Sequence, residues 1–266
     1  TGATSTVYKV KNNSSSQLFV CKVIKKKFNS RGKREINVLR KISNETNKEF
    51  FPCLVDTLTV SDQQYILMKY EKSVELFDFV IGNHNRVIQD FKLLMIIKQM
   101  INSVYHLHLC GFVHLDIKLE NFLITNEGLI KLIDFGTCHE KALLNKRLSI
   151  VVGTRNYAPH ELYRNFYHSN TDVWSLGVCI WVLLTREAPF NHENINREFF
   201  STHDMCNFTF PTDNHFEIKP IIGRKFFTFF KSVFKMVPVT RLSINEIMAF
   251  DFEDCLTEYN NDIFNT

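Results

Sequence analysis

A chain of 266 residues that is 45% hydrophobic and 23% charged, with nine glycines and six prolines, has the profile of a folded protein, with material for one large domain or two lobes. A formal charge of +4 falls short of a nucleic-acid-binding signature. The longest apolar run, residues 173–184, is shorter than the ~20 residues of a membrane span and is interrupted by Ser175 and Gly177, so a buried helix is expected there. Seven cysteines, scattered and without a CxxC pair, argue against a zinc site and for reduced thiols in the cytoplasm, with the nucleus as the alternative.

In chain order, "TVYKV" reads as a strand, the Asn-Ser stretch at 12–16 as a turn, and "QLFVCKVI" as a second strand. A basic stretch from Lys22 to Arg34 leads into a helical segment, "RGKREINVLRKI", and reads as a solvated surface around the helix start. Two further strands, "LVDTLTV" and "QYILMKY", follow. From Glu71 onward helices dominate. In "FKLLMIIKQMINSVYHLH" the apolar positions 94, 97, 101, 104 and 107 recur at steps of three or four, which marks an amphipathic helix. A small β-rich lobe (residues 1–70) followed by a larger helical one (71–266) is the expected α+β architecture.

Several motifs carry chemistry. Gly2 lies five residues before Val7, as in the later part of a GxGxxGxV turn whose backbone N–H groups approach phosphate, with Ser5 in place of the third glycine. Lys22 ends the strand run "FVCK", and Glu35 on the following helix, with Leu39 one turn on, can orient its ammonium. The strongest signal is "HLDIKLENF". His114, Asp116, Lys118 and Asn121 stand as HxDxKxxN, and Asp134 of an Asp-Phe-Gly with Phe135 comes eighteen residues after Asp116, beyond the hairpin "FLITNEGLIKLI". Asp116 can accept a hydroxyl proton while Asn121 and Asp134 hold Mg2+ through hard oxygens. Each Asp alone could be a helix cap or turn residue; together the pattern is specific.

Over nearly its whole length, through "GTRNYAPHEL", "DVWSLGV", "APF" and "VTRLS", the chain resembles the eukaryotic protein kinase family, serine/threonine type, and within it the calcium/calmodulin-dependent group and the PIM-like kinases. The resemblance implies a bilobal kinase fold in residues 1–266, lacking the first strand and the start of the glycine-rich loop. It implies ATP and Mg2+ as cofactors, with Mn2+ as the alternative ion, and serine or threonine hydroxyls of protein substrates as phosphate acceptors, the reaction of a signalling enzyme. In its terms Asp116, Lys118, Lys22 and Glu35 are catalytic. Gly2, Val7, Cys21, Lys22, Met68, Tyr70, Glu75 and Leu123 bind nucleotide, with hinge hydrogen bonds from Lys69 to Glu71. Thr154 contacts Asp116 and Lys118, Glu161 pairs with Arg241, and Asp172 braces the catalytic loop, while His114 and Phe135 are structural. Glu75, Asp78 and Glu120 match acidic positions that receive arginines N-terminal to the phosphoacceptor; each could equally be a solvated charge, and Glu75 also matches a ribose contact.

One departure stands out. Leu115 occupies the place of the arginine that receives an activation-loop phosphate in the family, so activity independent of that phosphate is expected, with Ser149 and Thr137 as the candidate autophosphorylation positions. Two other readings remain: a scaffold that binds nucleotide without turnover, favoured by Ser5, the truncated glycine loop and Leu115, and a small-molecule phosphotransferase, disfavoured by "GTRNYAPHEL" and "DVWSLGV".

Overall fold

The computed structural model describes residues 4–44, 48–82, 90–141, 153–190 and 224–254. Gly2 and Ser149 lie outside the described residues.

The first lobe is a four-stranded antiparallel sheet of order β1-β2-β4-β3, with β1 at Ser5–Lys11, β2 at Leu18–Ile24, β3 at Leu54–Val60 and β4 at Gln63–Lys69. Turn chemistry sets its register. The Asn12 side chain accepts from the N–H groups of Ser14 and Ser15 at 2.8 and 3.0 Å, which closes the β1–β2 hairpin. Ser61 and Asp62, both at positive φ (47° and 64°), form the two-residue turn whose twist matches the flanking strands β3 and β4.

The helix α1 (Asn29–Ser43) packs on one face of this sheet through Glu35, Val38, Leu39 and Ile42, all buried and spaced for one helical face. Gly32 lets it approach: a Cβ there would stand 2.0 Å from Gln64 Oε1 on β4. Of the basic stretch, Lys26, Lys27 and Lys33 are solvated as expected, whereas Lys22 is buried.

The second lobe is built on α3 (Asp90–Leu109) and α5 (Thr171–Thr185). Positions 94, 97, 101, 104 and 107 of α3 are all buried, as their spacing predicts. In α5 every residue from Thr171 to Leu183 is buried, the apolar run read from sequence as a core helix. Between α3 and α5 come the hairpin β7–β8 (Phe122–Thr125, Ile130–Leu132), which pairs with β5 (Ser73–Glu75) from ahead of α3, and the short ladder of β6 (Phe112–Val113) with β9 (His139–Glu140). The short helices α2 (Leu76–Ile81), α4 (His160–Tyr163) and α7 (Ile244–Met248) and the longer α6 (Arg224–Val233) complete the described elements. Among the described residues, no helix is long and apolar enough to cross a membrane.

An edge-to-face run of rings crosses from the first lobe to the second. Phe51, Phe135 and His114 are each 2% exposed or less, with centroids 6.0 Å (Phe51–Phe135) and 5.7 Å (His114–Phe135) apart. It ties the sheet lobe to the segment that carries the site.

Candidate active site

A cleft of about 480 Å3 opens between β1, β2 and α1 on one side and the β7–β8 hairpin on the other. Lys22 projects into it from β2, opposite Ile66 of β4. Its Nζ lies 2.6 Å from Glu35 Oε1 and 3.0 Å from Asp134 Oδ1. Burial works against the charge on Lys22, yet the two carboxylates outweigh it and hold its pKa above the ordinary lysine value. Asp134 feels the same balance from the other side: burial would raise its carboxyl, but Lys22 pulls it below the ordinary value. Glu35, completely enclosed, is raised by burial against the pull of Lys22.

The segment 114–121 is shaped from beneath by Asp172 at the start of α5. Its Oδ2 accepts from His114 N–H at 2.7 Å and its Oδ1 from Leu115 N–H at 2.8 Å, while His108 Nε2 lies 2.9 Å from Oδ2. Those bonds hold Leu115 at φ 65°, a left-handed conformation that a branched side chain rarely adopts. Asp134 has the same conformation at φ 64°. Thr154 Oγ1 donates to Asp116 Oδ1 at 2.7 Å and accepts from Lys118 Nζ at 2.9 Å, so the hydroxyl joins carboxylate and ammonium.

Asn121 is 5% exposed, lines the cleft and spends its amide N–H on the Asp116 backbone oxygen at 2.7 Å, which leaves its Oδ1 as a ligand atom for a cation. Asp134 binds Lys22 through Oδ1, which leaves Oδ2. One amide oxygen and one carboxylate fit a small hard cation that completes its shell from phosphate oxygens and water. They do not make a dedicated protein cage, and among the described residues no group of three or more His, Cys, Asp or Glu side chains is placed to hold a metal.

The cleft wall carries Val7, Met68, Glu75 and Leu123, as expected from sequence. Cys21 is a correction. Side chains alternate along β2, and since Lys22 faces the cleft, Cys21 faces the opposite side of the sheet beside Tyr8 and Leu67; Val20 lines the cleft instead. Period-two counting back from Lys22 finds Val20 without a structure. Tyr70 is a second correction: expected to offer backbone hydrogen bonds from the hinge, it spends its N–H on Leu18 O at 3.4 Å, and the lining there comes from Lys69 and Glu71. Thr137 is a third, because its buried hydroxyl donates to His114 O at 3.0 Å and is thus enclosed rather than offered for modification.

Lys131, which sequence reasoning passed over, lines the same cleft. Its ammonium contacts Glu71 Oε2 at 3.2 Å and donates to the carbonyls of Glu49 and Phe51 at 3.1 and 3.2 Å. A lysine in an otherwise apolar strand, "LIKLI", was the available signal.

Glu75, Asp78 and Glu120 come together at the cleft mouth. Burial raises the Glu75 carboxyl, and the charges of Asp78 and Glu120 raise it further. Glu120 Oε2 is buried without a hydrogen-bond partner. Farther down, Arg241 makes a two-pronged pair with Glu161, Nη1–Oε1 at 2.6 Å and Nη2–Oε2 at 2.8 Å, both side chains buried.

Residues 1–252 match the family model described as the protein kinase domain. Relatives include CBL-interacting protein kinase 33 of Oryza sativa subsp. japonica, 30% identical over 85% of this chain and 48% of its own length. Others are CDPK-related kinase 5 of Arabidopsis thaliana, 34% identical over 59% of this chain and 26% of its own, and serine/threonine-protein kinase cds1 of Schizosaccharomyces pombe, 36% identical over 48% and 29%. The chain thus spans about half, or less, of the length of the curated relatives it matches.

Proposed function

This chain belongs to the protein kinase family, serine/threonine type, and on that premise we propose that it transfers the γ-phosphoryl group of ATP to serine or threonine hydroxyls of protein substrates, with preference for basic sequences and without need of an activation-loop phosphate. The observation that carries the activity is the Lys22–Glu35–Asp134 triad held at 2.6 and 3.0 Å across one cleft from the Asp116–Thr154–Lys118 cluster. In this reading Lys22, oriented by Glu35, lies against the nucleotide phosphates, and Asn121 with Asp134 supplies the protein oxygens for magnesium. When bound, that ion would offset the negative charge that develops on the phosphate oxygens.

Asp116 accepts the proton as the substrate oxygen bonds to the γ-phosphorus and the bond from that phosphorus to the β–γ bridging oxygen breaks. Thr154 fixes one oxygen of Asp116, and Lys118 stands within 3.5 Å of the other, where it can meet the transferring phosphate.

Three carboxylates at the cleft mouth favour a guanidinium from the substrate, which relieves their mutual repulsion. Leu115 supports phosphate independence, since it supplies no cation where the family places one.

The test is Mg2+-dependent transfer from ATP to an Arg-rich serine peptide and to an acidic one of equal length, with phosphatase-treated protein and an Asp134→Asn control. Transfer to the basic peptide that survives phosphatase and is lost in the control is expected. Equal use of both peptides would remove the basophilic reading. Loss after phosphatase would shift regulation to Arg31 and Arg34, neighbouring cations beside Gly136 near the start of the activation segment. No transfer to any peptide would leave a nucleotide-binding scaffold.

A further inference from the structure

Leu115 is more than a missing arginine. It is 2% exposed and forms, with Val113, Leu162 and Tyr167, an apolar cluster separate from the main core, against which Ala158 also packs. Those residues come from two places in the chain: Val113 and Leu115 from β6 and the loop after it, the others from the segment that follows Thr154. Gly153, at φ 90°, passes so close that a Cβ there would meet Leu115 O at 2.9 Å and Leu162 Cδ1 at 3.3 Å. The next residue is Thr154. Its carbonyl accepts from Tyr157 and Ala158 N–H at 2.9 and 3.0 Å, so the turn that presents its hydroxyl to Asp116 is the turn that seats Ala158 on the Leu115 cluster. The other end of the segment is joined to the same patch, because His139 pairs with Val113 in the β6–β9 ladder and its ring lies 5.4 Å from that of Tyr167.

We propose that Leu115 is a positioning residue: with Val113, Leu162 and Tyr167 it forms an apolar latch that holds Thr154 on Asp116 and Lys118, the task a phosphate–arginine pair would otherwise perform. The proposal rests on the protein-kinase reading of the site and adds to it the means by which the substrate-side segment stays ordered. Apolar contact suits permanence: it needs no modifying enzyme, no phosphatase reverses it, and salt does not screen it.

The test compares Leu115→Ala, Leu115→Met and, as a control away from the site, Ile247→Ala in α7, all phosphatase-treated, by peptide turnover and by amide hydrogen exchange over residues 153–162. Leu115→Ala is expected to lower kcat with peptide by about ten- to a hundredfold with the KM for ATP unchanged, as a small misplacement at a reacting group does. It is also expected to raise exchange in 153–162, with Leu115→Met restoring most of both. The proposal is overturned if Leu115→Ala keeps wild-type turnover and protection, if Ile247→Ala matches its effects, or if phosphatase alone removes the protection of 153–162 in the wild type. Should the wild type transfer no phosphate at all, the kinase reading fails, and the exchange comparison still decides the latch.

Discussion

Replacing Glu161 by Gln removes one charge from a pair that is fully enclosed. Arg241 is 3% exposed and Glu161 6%, and the guanidinium has no spare donor: Nε–H goes to Lys235 O, Nη1 to Glu161 Oε1 and Asn170 O, and Nη2 to Glu161 Oε2 and Met236 O. A glutamine keeps one acceptor and turns an amide N–H2 toward the other Nη, so a donor faces a donor and the arginine charge loses its counter-ion. Breaking a buried pair from one side costs about 3–5 kcal/mol, which for a domain of this size lowers Tm by roughly 5–9 °C. The double variant Glu161→Leu with Arg241→Met removes both charges and should recover only part of that loss, because the carbonyls of Lys235, Met236 and Asn170 lose this donor at about 1 kcal/mol or more each. Urea unfolding of Glu161→Gln, of Glu161→Leu and Arg241→Met singly, and of the double variant measures both quantities. A loss under about 1 kcal/mol for Glu161→Gln, or strict additivity in the cycle, would refute the view that this pair anchors α4 to the segment after α6.

Burial and the nearby Arg241 and Arg164 lower the His160 pKa to about 4, with Glu161 opposing. A folded pKa below the unfolded one means the unfolded chain binds the extra proton, so the contribution is whole above about pH 6.5, falls as pH drops toward 4, and totals roughly 3 kcal/mol. His160→Gln should flatten the stability–pH curve over that window, and an unchanged slope would show that His160 does not titrate there. Gly177→Ala should destabilise by about 1–3 kcal/mol despite better helix propensity, since the added Cβ would stand 2.5 Å from Val233 Cγ1 and 3.2 Å from Phe234 Cε1; a raised Tm would refute it. Thr154→Ala should cut turnover about ten- to a hundredfold, the equivalent of one charge-assisted hydrogen bond, with Thr154→Ser staying within a few-fold. Turnover of the alanine variant within twofold of wild type would mean that Asp116 is held by other contacts.

The parts of the site legible in sequence are those whose chemistry sits on adjacent residues. His114 through Asn121 share one short loop, so spacing alone places the carboxylate, the ammonium and the amide together, and the structure adds the bonds from Asp172 that bend the loop. Lys22 and Glu35 are thirteen residues apart on a strand and a helix of recognisable period, and their contact follows from packing that helix on that strand. Pairing Glu161 with Arg241 across eighty residues needed the family resemblance, because no local pattern links them. Cys21 adjoins Lys22 in the chain yet lies on the other face of the strand, and Tyr70 spends its N–H within the sheet while its neighbours line the cleft, distinctions of strand face and backbone pairing that a resemblance does not carry.

Leu115 is the most instructive residue. Sequence identifies it by what it lacks, a cation, and that supports only a negative statement about phosphate. Its positive role depends on three features no spacing reveals: a left-handed φ enforced by Asp172, a glycine at 153 that lets two backbones touch, and burial against side chains about fifty residues away. Substituting a leucine for an arginine changes the physical force that joins loop to segment from one that is switched by charge to one that is always present. The surrounding cluster is what makes that exchange compatible with an ordered Thr154.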